Sequence, residues 1–420
     1  MAYLFDTKER YAKGDVIMNN RVTVPLYASL LSVALLTASC SSGEPFTGGT
    51  GQSSQGQGTG QGQTANGGNT SASGDESGAQ GEVGIPYQAS VLVEGMNAPW
   101  EIVSVPDGRM FVTERPGAIR IIEDGKLVSE PLIEFSAPFN EEGEGGLLGL
   151  AADPDFEENG YLYAYHSYLE GDDIANRVLR LKVNDGKAVI DQELLGNIPG
   201  GTNHNGGRIK IGPDKLLYFT TGERYEPELS QNEDSLGGKI LRIGLDGSIP
   251  ADNPWPNSPV YSMGHRNAQG LAWNPDNGYL YSTEHGQRNH DEINRIVAGE
   301  NYGWPEVEGD DDDNGAYQAP LAHSGNDTWA PSGVAFVEEG PWAGSLIAAN
   351  LRGEQLLKVT LSEDGTQVEK VEPIFEDEWG RIRNVSAGED GKLYVLTNNR
   401  DGRGSPRDGD DKLILLTPES

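Results

Sequence analysis

One histidine in this chain stands where a reacting group could come close: Gly201-Thr202-Asn203-His204-Asn205-Gly206-Gly207-Arg208. Glycines beside the ring let a second group approach the backbone, and imidazole titrates in the range that suits proton abstraction near neutral pH. The plain alternative is a surface loop histidine that only makes hydrogen bonds. A second segment, Gly264-His265-Arg266-Asn267-Ala268-Gln269-Gly270-Leu271, packs a cation and two amides into four residues ahead of an apolar run. Arg381-Ile382-Arg383 puts two guanidinium groups on one face of a strand, since alternate residues share a face. That pair suits an anion with several carboxylates or phosphates; salt bridging to the plentiful acids is the alternative. The stretch from Glu284 to Asn294, followed by Asn301-Tyr302-Gly303-Trp304-Pro305, is rich in the carboxylate, amide and carbonyl oxygens that a hard cation such as calcium takes as ligands. No EF-hand loop is present, so such an ion would draw ligands from separated loops. The run Asp310 to Asp313 reads as a solvated acidic loop.

These groups need a scaffold, and the sequence repeats one. An acidic turn with Gly or Asn leads into an alternating apolar strand at Pro106-Asp107-Gly108, Pro154-Asp155 through Gly160, Pro213-Asp214, Pro275 through Gly278, Glu338-Glu339-Gly340 and Glu389-Asp390-Gly391. From Asp107 to Asp155, Asp214, Asp276, Glu339 and Asp390 the steps are 48, 59, 62, 63 and 51 residues. Strands bury alternate side chains, and Gly, Asn and Asp reverse the chain between them. Six units with room for four short strands each predict an all-β chain folded as a six-bladed β-propeller of four-stranded antiparallel blades. A β-sandwich array with irregular insertions is the alternative.

Composition narrows the function. In 420 residues, 65 Asp and Glu face 31 Lys and Arg, a formal charge of −34, which excludes a nucleic-acid binder needing a positive field against phosphates. A single cysteine excludes an internal disulfide framework and a thiolate zinc cluster. That cysteine, Cys40, ends an uncharged stretch that starts at Val22 behind Arg21, the order of a signal peptide. Leu36-Thr37-Ala38-Ser39-Cys40 resembles a bacterial lipobox, with Thr37 where Leu or Val is usual; an incidental cysteine near a signal cleavage site is the alternative. Residues 1–17 mix acids and bases, so translation is expected to start at Met18. Residues 41–85 are rich in Gly, Ser and Gln, and read as a flexible tether unable to bury enough apolar surface to order itself. The expected organisation is a signal segment over 1–40, a tether over 41–85 and the propeller over 86–420. It implies an exported domain, lipid-anchored through Cys40 to the outer face of a bacterial membrane. Nothing in the sequence points to an oligomer.

In order and spacing, PWEIVSVPDGRMFVTERPG, EGGLLGLAADPDF, HNGGR, GHRNAQGLAW, EHGQRNHDEIN, NYGWP and RIRNV resemble the glucose/sorbosone dehydrogenase family, the soluble quinoprotein aldose dehydrogenases, from about Ala98 to Thr417. The resemblance implies a six-bladed propeller with pyrroloquinoline quinone (PQQ) and Ca2+ at the mouth of its channel. It makes His204 the catalytic base and places Arg266 beside the reactive quinone carbonyl. Asn267 and Gln269 fall in the cofactor-contact segment. Arg381 and Arg383 would embrace the cofactor's carboxylates, with Arg352 serving the same anion. The carbonyls of Gly286 and Gln287 correspond to ligands of the cofactor calcium. Glu292 with the carbonyl of Tyr302 resembles a second, structural calcium site. Gln287 and Ala268 each replace a common Pro. Glu144 stands where some members have a Gln near the cofactor, and a carboxylate there would repel an anionic quinone unless protonated or turned away.

The implied reaction is oxidation of an aldose at C1 to a lactone, with electrons passed to an external acceptor. A calcium-dependent propeller lactonase and a non-enzymatic recognition propeller are the rivals. Neither needs the paired arginines.

Overall fold

The computed structural model describes residues 84–419. The expected signal segment, the start at Met18, Cys40 and all but the last two residues of the expected tether lie outside the described residues. Six antiparallel sheets follow one another as the blades of a β-propeller. Blade 1 holds Pro99–Ser104, Met110–Glu114, Ala118–Glu123 and Lys126–Leu127, with Ile133–Glu134 also paired to its third strand. Blade 2 holds Leu147–Ala152, Tyr161–Glu170, Asp173–Asn184 and Lys187–Pro199, and blade 3 holds Ile209–Ile211, Leu217–Thr220, Lys239–Ile243 and Val260–Met263. Blade 4 holds Ala268–Trp273, Leu280–Glu284, Glu292–Ile296 and Ala322–His323; blade 5 holds Pro331–Phe336, Ser345–Asn350, Gln355–Leu361 and Val368–Ile374. Blade 6 takes Ile382–Ala387, Leu393–Thr397 and Leu413–Pro418 from the end of the chain, and its outer strand, Tyr87–Val93, from the beginning. Tyr87 lies opposite Pro418 and Val91 opposite Ile414, so backbone hydrogen bonds close the ring.

The repeated phrase of the sequence is the turn between the first and second strands of each blade. Its acids and amides have a local task. Asp107, Asn159, Asp214 and Asn277 each accept, through Oδ1, the backbone N–H two residues on, the Asx turn that such residues favour. The second strand is apolar because it is covered on both sides: MFVTE, LYFT, LYSTE and SLIAAN are buried throughout. Outer strands alternate or lie open, as in VEKVEPI. Six apolar clusters fill the six gaps between adjacent blades, including the gap between blades 6 and 1.

Each first strand starts, and each second strand ends, at the face opposite the repeated turns. Side chains at those ends therefore converge around the axis. Just below them the buried Arg208, ahead of the first strand of blade 3, pairs with the buried Glu101 on the first strand of blade 1. Asn384 of blade 6 donates to the same carboxylate at 2.7 Å. Burial alone would raise the Glu101 carboxyl, but Arg208 and Lys210 outweigh it and hold it below the usual range.

Candidate active site

The converging strand ends enclose a cleft of about 780 Å³. His204, Arg266, Gln269, Gly286, Gln287, Arg352, Arg381 and Arg383 all line it, together with Glu144. Residues separated by up to 239 positions in the chain, Glu144 and Arg383, thus share one wall.

His204 is buried and sits in the left-handed region, with φ 53°. Its Nδ1 lies 2.7 Å from Oε2 of Glu223, just beyond the second strand of blade 3. A carboxylate only accepts, so Nδ1 carries the hydrogen, and in the neutral ring the lone pair is on Nε2. Gly222 makes this approach possible, because a Cβ there would stand 2.0 Å from the carbonyl oxygen of His204. Asn205 closes the loop by bonding Gly201 through both ends of its amide, at 3.0 and 2.8 Å. Tyr225 packs against the imidazole with ring centroids 4.0 Å apart and planes tilted by 45°, and also lines the cleft.

Glu144 resolves the conflict that its position raised. Its Oε2 accepts the backbone N–H of His204 at 3.0 Å, and its Oε1 pairs with Arg403 at 2.7 Å. Burial would raise this carboxyl, but Arg403 and the His204 amide outweigh it and hold it below the usual range. It is an ionised group whose charge is already matched by the protein.

The arginines are crowded. Arg381 donates from Nε and Nη2 to Oδ2 of Asp401, at 3.0 and 2.7 Å. Arg383 donates to Oε1 of Gln269 at 2.9 Å, which joins blade 6 to blade 4, the two neighbours of blade 5. Burial, with Arg381, Arg115 and Arg208 nearby, pulls Arg383 down to about 9 despite Asp401. The Nε atoms of Arg266 and Arg383 are buried with no partner. Seven arginines and four acids line the cleft, leaving a local surplus of positive charge in a chain with a formal charge of −34. Buried donors without acceptors and guanidinium groups under mutual repulsion are what an absent multivalent anion would satisfy. Arg352 is exposed and lines the cleft at its rim.

Beyond the second strand of blade 4, the Gly286–Gln287 turn is pinned by the buried Asp291. It accepts the N–H of Gly286 at 3.0 Å and those of Trp329 and Ala330 at 2.7 and 2.8 Å. Among the described residues no hydrogen bond reaches the carbonyl of Gly286 or Gln287, which leaves two oxygens suited to a hard cation. Among the described residues, no three His, Cys, Asp or Glu side chains converge as a metal cage. His285 has an unpartnered buried Nε2 and is pulled down to about 3 by burial and by Arg266 and Arg383, so it is neutral.

Asn267, Glu292 and Tyr302 do not line the cleft. Asn267 is buried behind it, accepting the N–H of Gly206 at 3.0 Å, and so braces the His204 loop. Glu292 is pushed up to about 8 by burial and by the carboxylates of Glu284 and Glu308, a crowding that a cation would relieve. Tyr302 packs its ring on His265, whose Nδ1 lies 2.8 Å from Glu284. Both residues therefore lie beside Glu284. Sequence reasoning missed Glu223, Asp291, Asp401 and Tyr225, which meet the residues above only through the fold. Asp291 alone stood in a segment already singled out.

Residues 96–414 match the family described as glucose/sorbosone dehydrogenase. Aldose sugar dehydrogenase YliI of Escherichia coli is 32% identical over 341 residues, covering 74% of this chain and 90% of that protein. Quinoprotein glucose dehydrogenase B of Acinetobacter calcoaceticus is 31% identical over 299 residues, 61% of this chain and 62% of that one. The PQQ-bound aldose sugar dehydrogenase of Streptomyces coelicolor superposes with a TM-score of 0.72 at 38% identity, covering 79% of this chain and 98% of that one.

Proposed function

The chain belongs to the glucose/sorbosone dehydrogenase family, and from that premise we propose that it oxidises an aldose at C1 to the lactone, using PQQ and Ca2+. The observation that carries the proposal is the His204–Glu223 pair opening into a cleft with a surplus of guanidinium groups. The residues fit the cofactor by donor chemistry. Arg381, Arg383 and Arg352 would hold its carboxylates, with Gln269 orienting Arg383, and the carbonyls of Gly286 and Gln287 would hold the calcium. Arg266 would donate to the reactive carbonyl and stabilise the charge developing there. When bound, the quinone supplies the acceptor for the two electrons and hydrogen that leave C1 as hydride.

The remaining chemistry belongs to the protein. Nε2 of His204 takes the proton of the anomeric hydroxyl, and Glu223 stabilises the imidazolium that results. The sugar loses one hydride and one proton and becomes a lactone; the two electrons pass to an external acceptor. Export and a lipid anchor at Cys40 are part of the proposal, and would set the enzyme near a respiratory-chain partner or a small diffusible carrier. A lactonase or a recognition module would have no use for the guanidinium surplus.

The test is reconstitution. Purified chain given PQQ and Ca2+ should reduce an artificial dye in the presence of aldoses. His204→Ala should keep PQQ binding and lose roughly 10²–10⁴-fold in kcat. A native chain that binds no PQQ, or a variant that turns over normally, overturns the reading.

A further inference from the structure

Tyr225 is 61% exposed, the largest exposure among the large apolar side chains of the described residues, yet it stands at the wall of the cleft. Its position is built. Arg224 and Tyr225 both adopt positive φ, 52° and 65°, which costs energy in residues bearing a Cβ and persists only where surroundings impose it. The surroundings here are specific. The Tyr225 N–H donates to Oε2 of Glu223 at 2.9 Å, the same oxygen that accepts Nδ1 of His204. The Arg224 N–H donates to the carbonyl of His204 at 3.3 Å, and its side chain pairs with Glu226 at 3.1 Å. One carboxylate oxygen therefore fixes both the base and an open aromatic face beside it.

We infer that Tyr225 is a substrate platform, against which an aldopyranose lays the apolar face formed by its axial hydrogens while its anomeric hydroxyl meets Nε2 of His204. The inference rests on the dehydrogenase reading of this cleft and adds to it a residue that positions the sugar against the base. Core packing gives no reason for the exposure. An aromatic ring held in water beside a reactive imidazole gains from an apolar surface laid on it, and a tyrosine keeps its hydroxyl solvated meanwhile.

Two measurements on the full chain test this. In the holoenzyme, Tyr225→Ala should raise KM for glucose about 10-fold, the size of one aromatic contact. Its kcat should stay within roughly threefold and its pH profile should be unchanged, while Tyr225→Phe and Tyr225→Trp restore KM. Saturation-transfer NMR with glucose should show ring-hydrogen contact in the native chain and its loss in Tyr225→Ala. An unchanged KM and NMR signal overturn the inference. So does an effect confined to kcat and its pH profile, which would make the ring only a support for the imidazole. A native holoenzyme inactive on every aldose sinks the dehydrogenase reading, and the NMR comparison then still decides the platform.

Discussion

Exchanging Glu223 for glutamine would keep the shape of the site and remove the acceptor that fixes the tautomer of His204. An amide can present its NH2 to Nδ1, which then turns the protonated nitrogen toward the cleft. Glu223→Gln should therefore lower kcat by roughly 10²-fold while PQQ affinity stays within a few-fold, measured by steady-state kinetics beside cofactor titration. Glu292 makes a prediction of opposite character. Its folded pKa, about 8, lies above the ordinary value of 4.5, so in the metal-free protein it binds a proton that the unfolded chain has released. Stability from this group is present below about pH 4.5 and is lost as pH rises toward 8. Melting of the calcium-free protein should show Tm falling over that window. Added Ca2+ should raise Tm more at pH 8 than at pH 5, and Glu292→Gln should flatten both trends. A calcium response independent of pH would remove the assignment of Glu292 as a ligand.

At the scale of elements, blades 3 and 4 carry the same device. His204 precedes the first strand of blade 3 and meets Glu223 beyond its second strand; His265 precedes the first strand of blade 4 and meets Glu284 at the end of its second. The second pair is closed off: Nε2 of His265 is 2.8 Å from Ser262 Oγ, and the imidazole is fully buried. Both histidines lie in glycine-flanked loops, so local sequence alone does not separate the one that faces the cleft from the one that braces a blade. Gly222 is where an element sets the chemistry. Gly222→Ala would press on the His204 carbonyl, with an expected cost of about 1–3 kcal/mol in stability. Displacing the base should also lower kcat strongly, and thermal melts with kinetics would check both. The outer strand Tyr87–Val93 is the other such element. Deleting it should lower Tm and promote association, since the edge of Leu413–Pro418 would be left unpaired.

At the scale of the whole molecule, a formal charge of −34 works against a compact chain by self-repulsion. With calcium held constant, raising NaCl from low to physiological ionic strength should increase Tm, because the Debye length shrinks to about 8 Å. A melting point insensitive to NaCl would mean that surface pairs already neutralise the repulsion. The ring gathers its scarce arginines where the blades meet, so the cleft opposes the sign of the rest of the molecule. This arrangement is set by topology, since every first strand begins and every second strand ends at that mouth.

The repeat of acidic turn and apolar strand was enough to set six blades, because a second strand buried on both sides is mainly apolar, its polar side chains gathered toward the cleft end, and its turn must reverse. Spacing also put Arg381 and Arg383 on one face. The fold decided what depends on distance between blades: that Glu223 orients His204, that Arg403 and an amide neutralise Glu144, that Asn267 braces a loop behind the cleft, and that the first strand of the domain completes the last blade. Local sequence encodes burial and turns, which are short-range; hydrogen-bond partners from separate blades are chosen only when the ring closes and brings their ends together.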